Sequence, residues 1–123
     1  IETKKAINSL DQLFANGKNF LIDRGDLSKE ISIISLPKIQ RLIFKKSKKN
    51  NKIYVATNFL ESMMKNPYPN RGEVNDIYNA CEMGAAGLVL AGETAIGNNP
   101  VGCVKFLEKS INSFFKKKKK LIG

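Results

Sequence analysis

Apolar positions recur along this chain in two alternating rhythms, one suited to helices and one to buried strands. Leu10, Leu13 and Phe14 make a helical stripe that Ser9 and Gln12 are spaced to open as a capping box and Gly17 to close. Asn19-Phe20-Leu21-Ile22 follows as a short strand. The same order then repeats twice. A helix is predicted from about Pro37 to Lys49, with Ile39, Leu42 and Ile43 inward, and a strand over Lys52 to Ala56. A connection holding Pro67 and Pro69 leads to a helix from about Arg71 to Met83, with Val74, Ile77, Tyr78 and Cys81 inward, and a strand over Gly87 to Ala91. Asn99 and Pro100 suit the start of a last helix with Val101, Val104, Leu107, Ile111 and Phe114 on its inner face.

Strands separated by helices of this length imply βαβ units and a parallel sheet, and their apolar runs imply burial on both faces. In barrels and open parallel sheets alike, ligands gather at the carboxyl ends of strands. Arg24-Gly25-Asp26, Thr57 and Gly92-Glu93-Thr94 fall at those ends. Glu2 and Asp26 are separated by one helix and one strand, a spacing that sets both carboxylates on one rim, and Mg²⁺ is commonly held by one or two carboxylates.

Composition narrows the chemistry. The chain has 123 residues, 42% of them hydrophobic, and no apolar run long enough for a membrane span. It contains no histidine, which excludes a His-dependent triad or a His zinc site within these residues. Cys81 and Cys103 are too far apart for a CxxC site and read as small buried thiols. The net charge of +10 gathers in Lys45 to Lys52 and Lys116 to Lys120, without interleaved aromatics. Such runs read as solvated faces, so neither nucleic acid nor membrane is an expected partner.

Five linked motifs give the chain a family likeness: Ile1-Glu2, Arg24-Gly25-Asp26-Leu27, the stretch ATNFLESM from Ala56, PYPNRGEVNDIYNA from Pro67, and AGETAIGNNP from Ala91. In order and spacing they resemble the I-E, A-R-G-D-L-G, A-T-Q-M-L-E-S-M, P-x-P-T-R-A-E-V-x-D-x-x-N-A and S-G-E-T-A-x-G-x-x-P motifs of pyruvate kinase. The resemblance implies an α/β fold, part of a TIM (β/α)₈ barrel comprising about its last three βα units, over residues 1–115, with a Lys-rich tail at 116–123. A whole barrel takes about 250 residues, so an incomplete part of the enzyme is expected, with the catalytic lysine just before Ile1.

The implied reaction is Mg²⁺-dependent phosphoryl transfer from phosphoenolpyruvate to ADP, giving pyruvate and ATP, in a cytoplasmic, homo-oligomeric glycolytic enzyme. By the same resemblance Glu2 and Asp26 are metal ligands, Gly25 and Asp26 offer backbone amides to the substrate carboxylate, and Thr57 lies beside the enolate as a catalytic residue. The K⁺ ligands, the nucleotide lid and the regulatory domain fall outside these residues. Glu61, Ser62, Arg71, Glu73, Asp76, Asn79 and the Gly92-Glu93-Thr94 turn read as scaffold, with Arg71 and Glu73 near a contact between barrels.

Departures from the pattern include Asp23 for alanine, Ser28 for glycine, Asn58 and Phe59 for glutamine and methionine, Asn70 for threonine and Asn75 for serine. Asp23 brings an extra carboxylate to a rim that must accept an anion. Two other readings stay open: a catalytically silent homologue used for binding or regulation, and another Mg²⁺-dependent barrel enzyme acting on pyruvate or a 2-oxo acid.

Overall fold

Residues 1–116 are described by a computed structural model. Three strands, β1 (Asn19–Asp23), β2 (Lys52–Ala56) and β3 (Gly87–Val89), form one parallel sheet in the order β1-β2-β3. Asn19 pairs with Lys52 at one end of the first ladder and Asp23 with Ala56 at the other; β3 pairs with β2 from Tyr54↔Gly87 to Ala56↔Val89. Parallel neighbours cannot be joined by tight turns, which is why helical segments stand between all three. The described residues divide into two units, one of residues 1–57 with 83–89 and one of 58–82 with 90–116.

The first unit holds the sheet. Its chain enters through α1 (Lys4–Asn8), where the Thr3 hydroxyl accepts the Ala6 N–H at 3.1 Å. Ser9 does not form the expected capping box: α1 already occupies the residues before it, and its side chain makes no capping bond to α2 (Leu10–Asn16). Gly17 does end α2, its N–H donating to the Leu13 carbonyl at 3.0 Å. A Cβ at Gly17 would lie 2.7 Å from the tip of the Phe20 ring, so a side chain there would have to push that ring aside.

After β1 comes a short helix that periodicity does not reveal, α3 (Arg24–Leu27). Then α4 runs over Leu36–Lys46 and stops three residues before the expected Lys49. The Ser47 hydroxyl donates to the Phe44 carbonyl at 2.6 Å and turns the chain away. Asn51 ties this turn back, its Nδ2 donating to the carbonyls of Phe14 and Gly17 at 3.2 and 2.9 Å. Buried Leu10, Phe14, Ile22, Leu27, Ile43, Ile53, Val55 and Ala56 supply the core, Phe14 meeting Phe20 edge-on. Leu42 and Ile39 are only half-buried, and Gln40 takes an inner place that the apolar pattern does not mark.

The second unit contains a 3₁₀ turn (Glu61–Met64), α5 (Arg71–Met83), α6 (Gly92–Ala95) and α7 (Pro100–Phe115). Asn70 and Glu73 open α5 as a reciprocal box: Asn70 Oδ1 accepts the Glu73 N–H at 2.8 Å and Glu73 Oε1 accepts the Asn70 N–H at 3.0 Å. The other Glu73 oxygen accepts the Ser62 N–H at 2.8 Å, so one carboxylate ties the 3₁₀ turn to the helix start. Asn99 caps α7, accepting the Gly102 N–H at 3.0 Å, with Pro100 in the first turn as expected.

Both helix faces are rotated from their predicted setting. Ile77 and Ala80 are buried on α5 and Cys103 and Leu107 on α7, while Val74, Tyr78, Val101 and Val104 are exposed. β3 is also two residues shorter than expected, ending at Val89. The Lys-rich stretch 116–123 lies outside the described residues beyond Lys116. Among the described residues no helix is long and apolar enough to cross a membrane.

Candidate active site

The carboxyl ends of β1 and β2 carry the polar side chains that the packing does not need. β1 runs directly into α3, and Asp23 caps that turn: its Oδ1 accepts the Asp26 N–H at 3.1 Å. The Asp23 N–H in turn donates to the Ile1 carbonyl at 3.0 Å, which draws Glu2 alongside the end of β1. As a result Glu2, Asp23 and Asp26 each place a carboxylate oxygen within 4.8 Å of the others. Glu2 is exposed and the two aspartates are half-buried. Lys29 Nζ stands 3.3 Å from Asp26 Oδ1 and, by that contact, holds the Asp26 carboxyl below its ordinary value.

At the end of β2 the backbone turns sharply. Thr57 and Asn58 have φ of 81° and 61°, the left-handed region that a β-branched residue rarely enters. Three contacts hold Thr57 there. Its N–H donates to the Val89 carbonyl at 3.2 Å, its carbonyl accepts from the Arg24 guanidinium, and its hydroxyl accepts the Gly25 N–H at 3.0 Å. Arg24 Nε also donates to the Ala56 carbonyl at 3.4 Å. Sequence reasoning passes over this role of Arg24, because long-range bonds to carbonyls leave no local signal.

The structure thus brings together every residue singled out for the site: Glu2, Gly25, Asp26 and Thr57. Asp23, marked in the sequence only as a departure that brings an extra carboxylate to the rim, joins them and also caps α3, a role the sequence reading did not give it. Both backbone amides in question, of Gly25 and Asp26, are engaged within the chain, by Thr57 Oγ1 and Asp23 Oδ1. Hard carboxylate oxygens so close together suit a divalent cation of the Mg²⁺ kind, since apposed anions repel unless a positive charge offsets them.

Gly92-Glu93-Thr94 belongs to the second unit. Glu93 is buried, and its two oxygens accept the N–H groups of Leu60 and Ala91, each at 3.0 Å. Burial alone would push its carboxyl up, but these amide donors outweigh it and hold the group below its ordinary value. Cys103 is fully buried; burial, then the charges of Glu93 and Glu73, push its thiol up. A cavity of about 540 Å³ in this unit is lined by Tyr68, Arg71, Val74, Tyr78 and Phe106, none of them a site residue.

Comparison with known proteins places these motifs. Residues 1–104 match the family "Pyruvate kinase, barrel domain". A pyruvate kinase of Thermotoga maritima is 46% identical over 110 residues, 89% of this chain and 24% of the relative; one of Aeropyrum pernix is 39% identical over 95% of this chain and 26% of its own length. The chain thus spans about a quarter of the length of these relatives. The crystal structure of pyruvate kinase from Pyrobaculum aerophilum superposes with a TM-score of 0.87 at 38% identity, covering 91% of this chain and 25% of that one. From its motifs, its parallel βα order and these matches together, the chain belongs to the pyruvate kinase family, within the barrel domain.

Proposed function

We propose that this chain is an incomplete part of a pyruvate kinase, and that the complete protein transfers a phosphoryl group from phosphoenolpyruvate to ADP, giving pyruvate and ATP. The observation that carries this reading is the convergence of Glu2 and Asp26 beside Gly25 and Thr57 at the ends of adjacent parallel strands, in a chain of this family. Phosphoryl transfer asks mainly for positioning and for positive charge against phosphoryl oxygens. Glu2 and Asp26 would hold Mg²⁺, which supplies that charge when bound. Asp26 offers the hard anionic oxygen that such a cation prefers.

The Thr57 hydroxyl accepts from Gly25 and so keeps its own proton to donate or relay toward the enolate carbon. The Arg24 guanidinium, bonded to the carbonyls of Ala56 and Thr57, fixes where that hydroxyl points. Gly25 lets substrate approach the backbone without a Cβ in the way. K⁺, the nucleotide lid and the lysine expected before Ile1 would come from outside these residues, and a cytoplasmic homo-oligomer goes with the same reading.

The test is Asp26→Asn in the complete gene product, assayed by coupling pyruvate formation to lactate dehydrogenase. The change keeps volume but removes an anionic ligand, so turnover should fall at least about a hundredfold while the melting temperature is kept. Near-normal turnover at low Mg²⁺ would reduce Asp26 to a structural role.

A further inference from the structure

The motif that the chain resembles has alanine where Asp23 stands, and the geometry gives this aspartate a consequence. A Cβ added to Gly25 would lie 3.4 Å from Thr57 Oγ1 and 3.5 Å from Asp23 Oδ1, so the open side of Gly25 faces these two groups. The alanine expected at position 23 has no side-chain oxygen to put there. Asp23 fills the place with an anion and spends one of its oxygens on the Asp26 N–H at 3.1 Å. The same side chain stands within 4.8 Å of the carboxylates of Glu2 and Asp26.

We infer that Asp23 is a specificity-determining residue of this site: its carboxylate competes with the carboxylate of the substrate for the Asp26 amide and weakens the binding of phosphoenolpyruvate. The inference rests on the reading of the site as one for phosphoenolpyruvate. One N–H cannot serve two carboxylates at full strength. An incoming carboxylate must therefore displace Asp23, which keeps its charge and remains beside the newcomer and two further acids. Like charges at this range repel even after solvent screening. A neutral side chain at position 23 removes the repulsion.

Asp23→Asn keeps an oxygen able to cap α3 and loses the charge; Asp23→Ala loses both. In the complete gene product, titration calorimetry with phosphoenolpyruvate at fixed Mg²⁺ should show Asp23→Asn tightening binding at least about threefold, a low estimate for a screened like-charge contact. Its melting temperature should be kept and the KM for ADP unmoved. Asp23→Ala should tighten binding as well, with a lowered melting temperature. If the unaltered protein binds phosphoenolpyruvate and Asp23→Asn binds it no better, Asp23 is a helix cap alone and the inference falls. If only the variants bind, the inference stands in its strongest form. If neither the unaltered protein nor any variant binds phosphoenolpyruvate, the functional reading itself fails and takes the inference with it.

Discussion

Thr57 shows how a single residue can be set against its own preference. A left-handed conformation costs a β-branched residue about 1–3 kcal/mol and persists only where the surroundings over-determine it. Here the Val89 carbonyl, the Arg24 guanidinium and the Gly25 amide do so. No sequence pattern announces a positive φ at a threonine, so the motif could point to Thr57 without revealing its strain. Glu93 is the second residue whose surroundings set its state. Its folded carboxyl lies below the ordinary 4.5 because amide donors favour the charged form. The stability it contributes is therefore fully present above about pH 4.5 and is lost as pH falls through the lower folded value. Glu93→Gln should lower stability at pH 7 by about 2 kcal/mol, the worth of a hydrogen bond to a charged group. It should also flatten the acid side of a plot of melting temperature against pH. A variant whose acid limb matches the unaltered protein would place the acid sensitivity elsewhere.

At the scale of elements, the existence and type of the strands and longer helices were legible, while facing was not. The bounds of β2 and α5 match the predicted Lys52–Ala56 and Arg71–Met83, because apolar rhythm and turn residues agree there. The short α3 and α6, of four residues each, and the 3₁₀ turn carry too few positions to show a period. On α5 and α7 the large apolar residues suggested the inner face, but the buried stripes centre on small neighbours, Ala80 and Cys103, beside Ile77 and Leu107. Small residues let helices approach closely, and a scan for large apolar side chains passes over them. The difference is measurable. Ile77→Ala should cost about 2–5 kcal/mol as a fully buried truncation, whereas Val104→Ala on an exposed face should stay within about 0.5 kcal/mol. Denaturant titration of both variants reads the facing directly, and equal losses would return Val104 to the inner face. The residues singled out by motif, Glu2, Gly25, Asp26 and Thr57, do lie together, because motif spacing sets charged and glycine positions at the strand ends, while the packing of helix faces admits many solutions.

For the molecule as a whole, the alternation of strands and helices specified a parallel sheet before any contact was known, and the three strands lie in the sheet in the order in which they occur in the chain. That order has a consequence for how the sheet assembles. Asn19 meets Lys52 and Tyr54 meets Gly87, a separation of 33 residues in both cases. Loop-closure entropy depends on length, so the two pairings start level. What separates them is ladder length, five paired positions between β1 and β2 against three between β2 and β3. The longer ladder repays its closure sooner and should form first, with β3 joining a pair already made. Stopped-flow refolding would read this as a difference between two truncations. Ile22→Ala, fully buried in β1, should slow folding; Leu88→Ala in β3 should leave the folding rate nearly unchanged and speed unfolding. The reverse pattern would make β2 and β3 the nucleus. If β1 and β2 do lead, sheet growth follows synthesis, since each strand finds its partner already made when it leaves the ribosome.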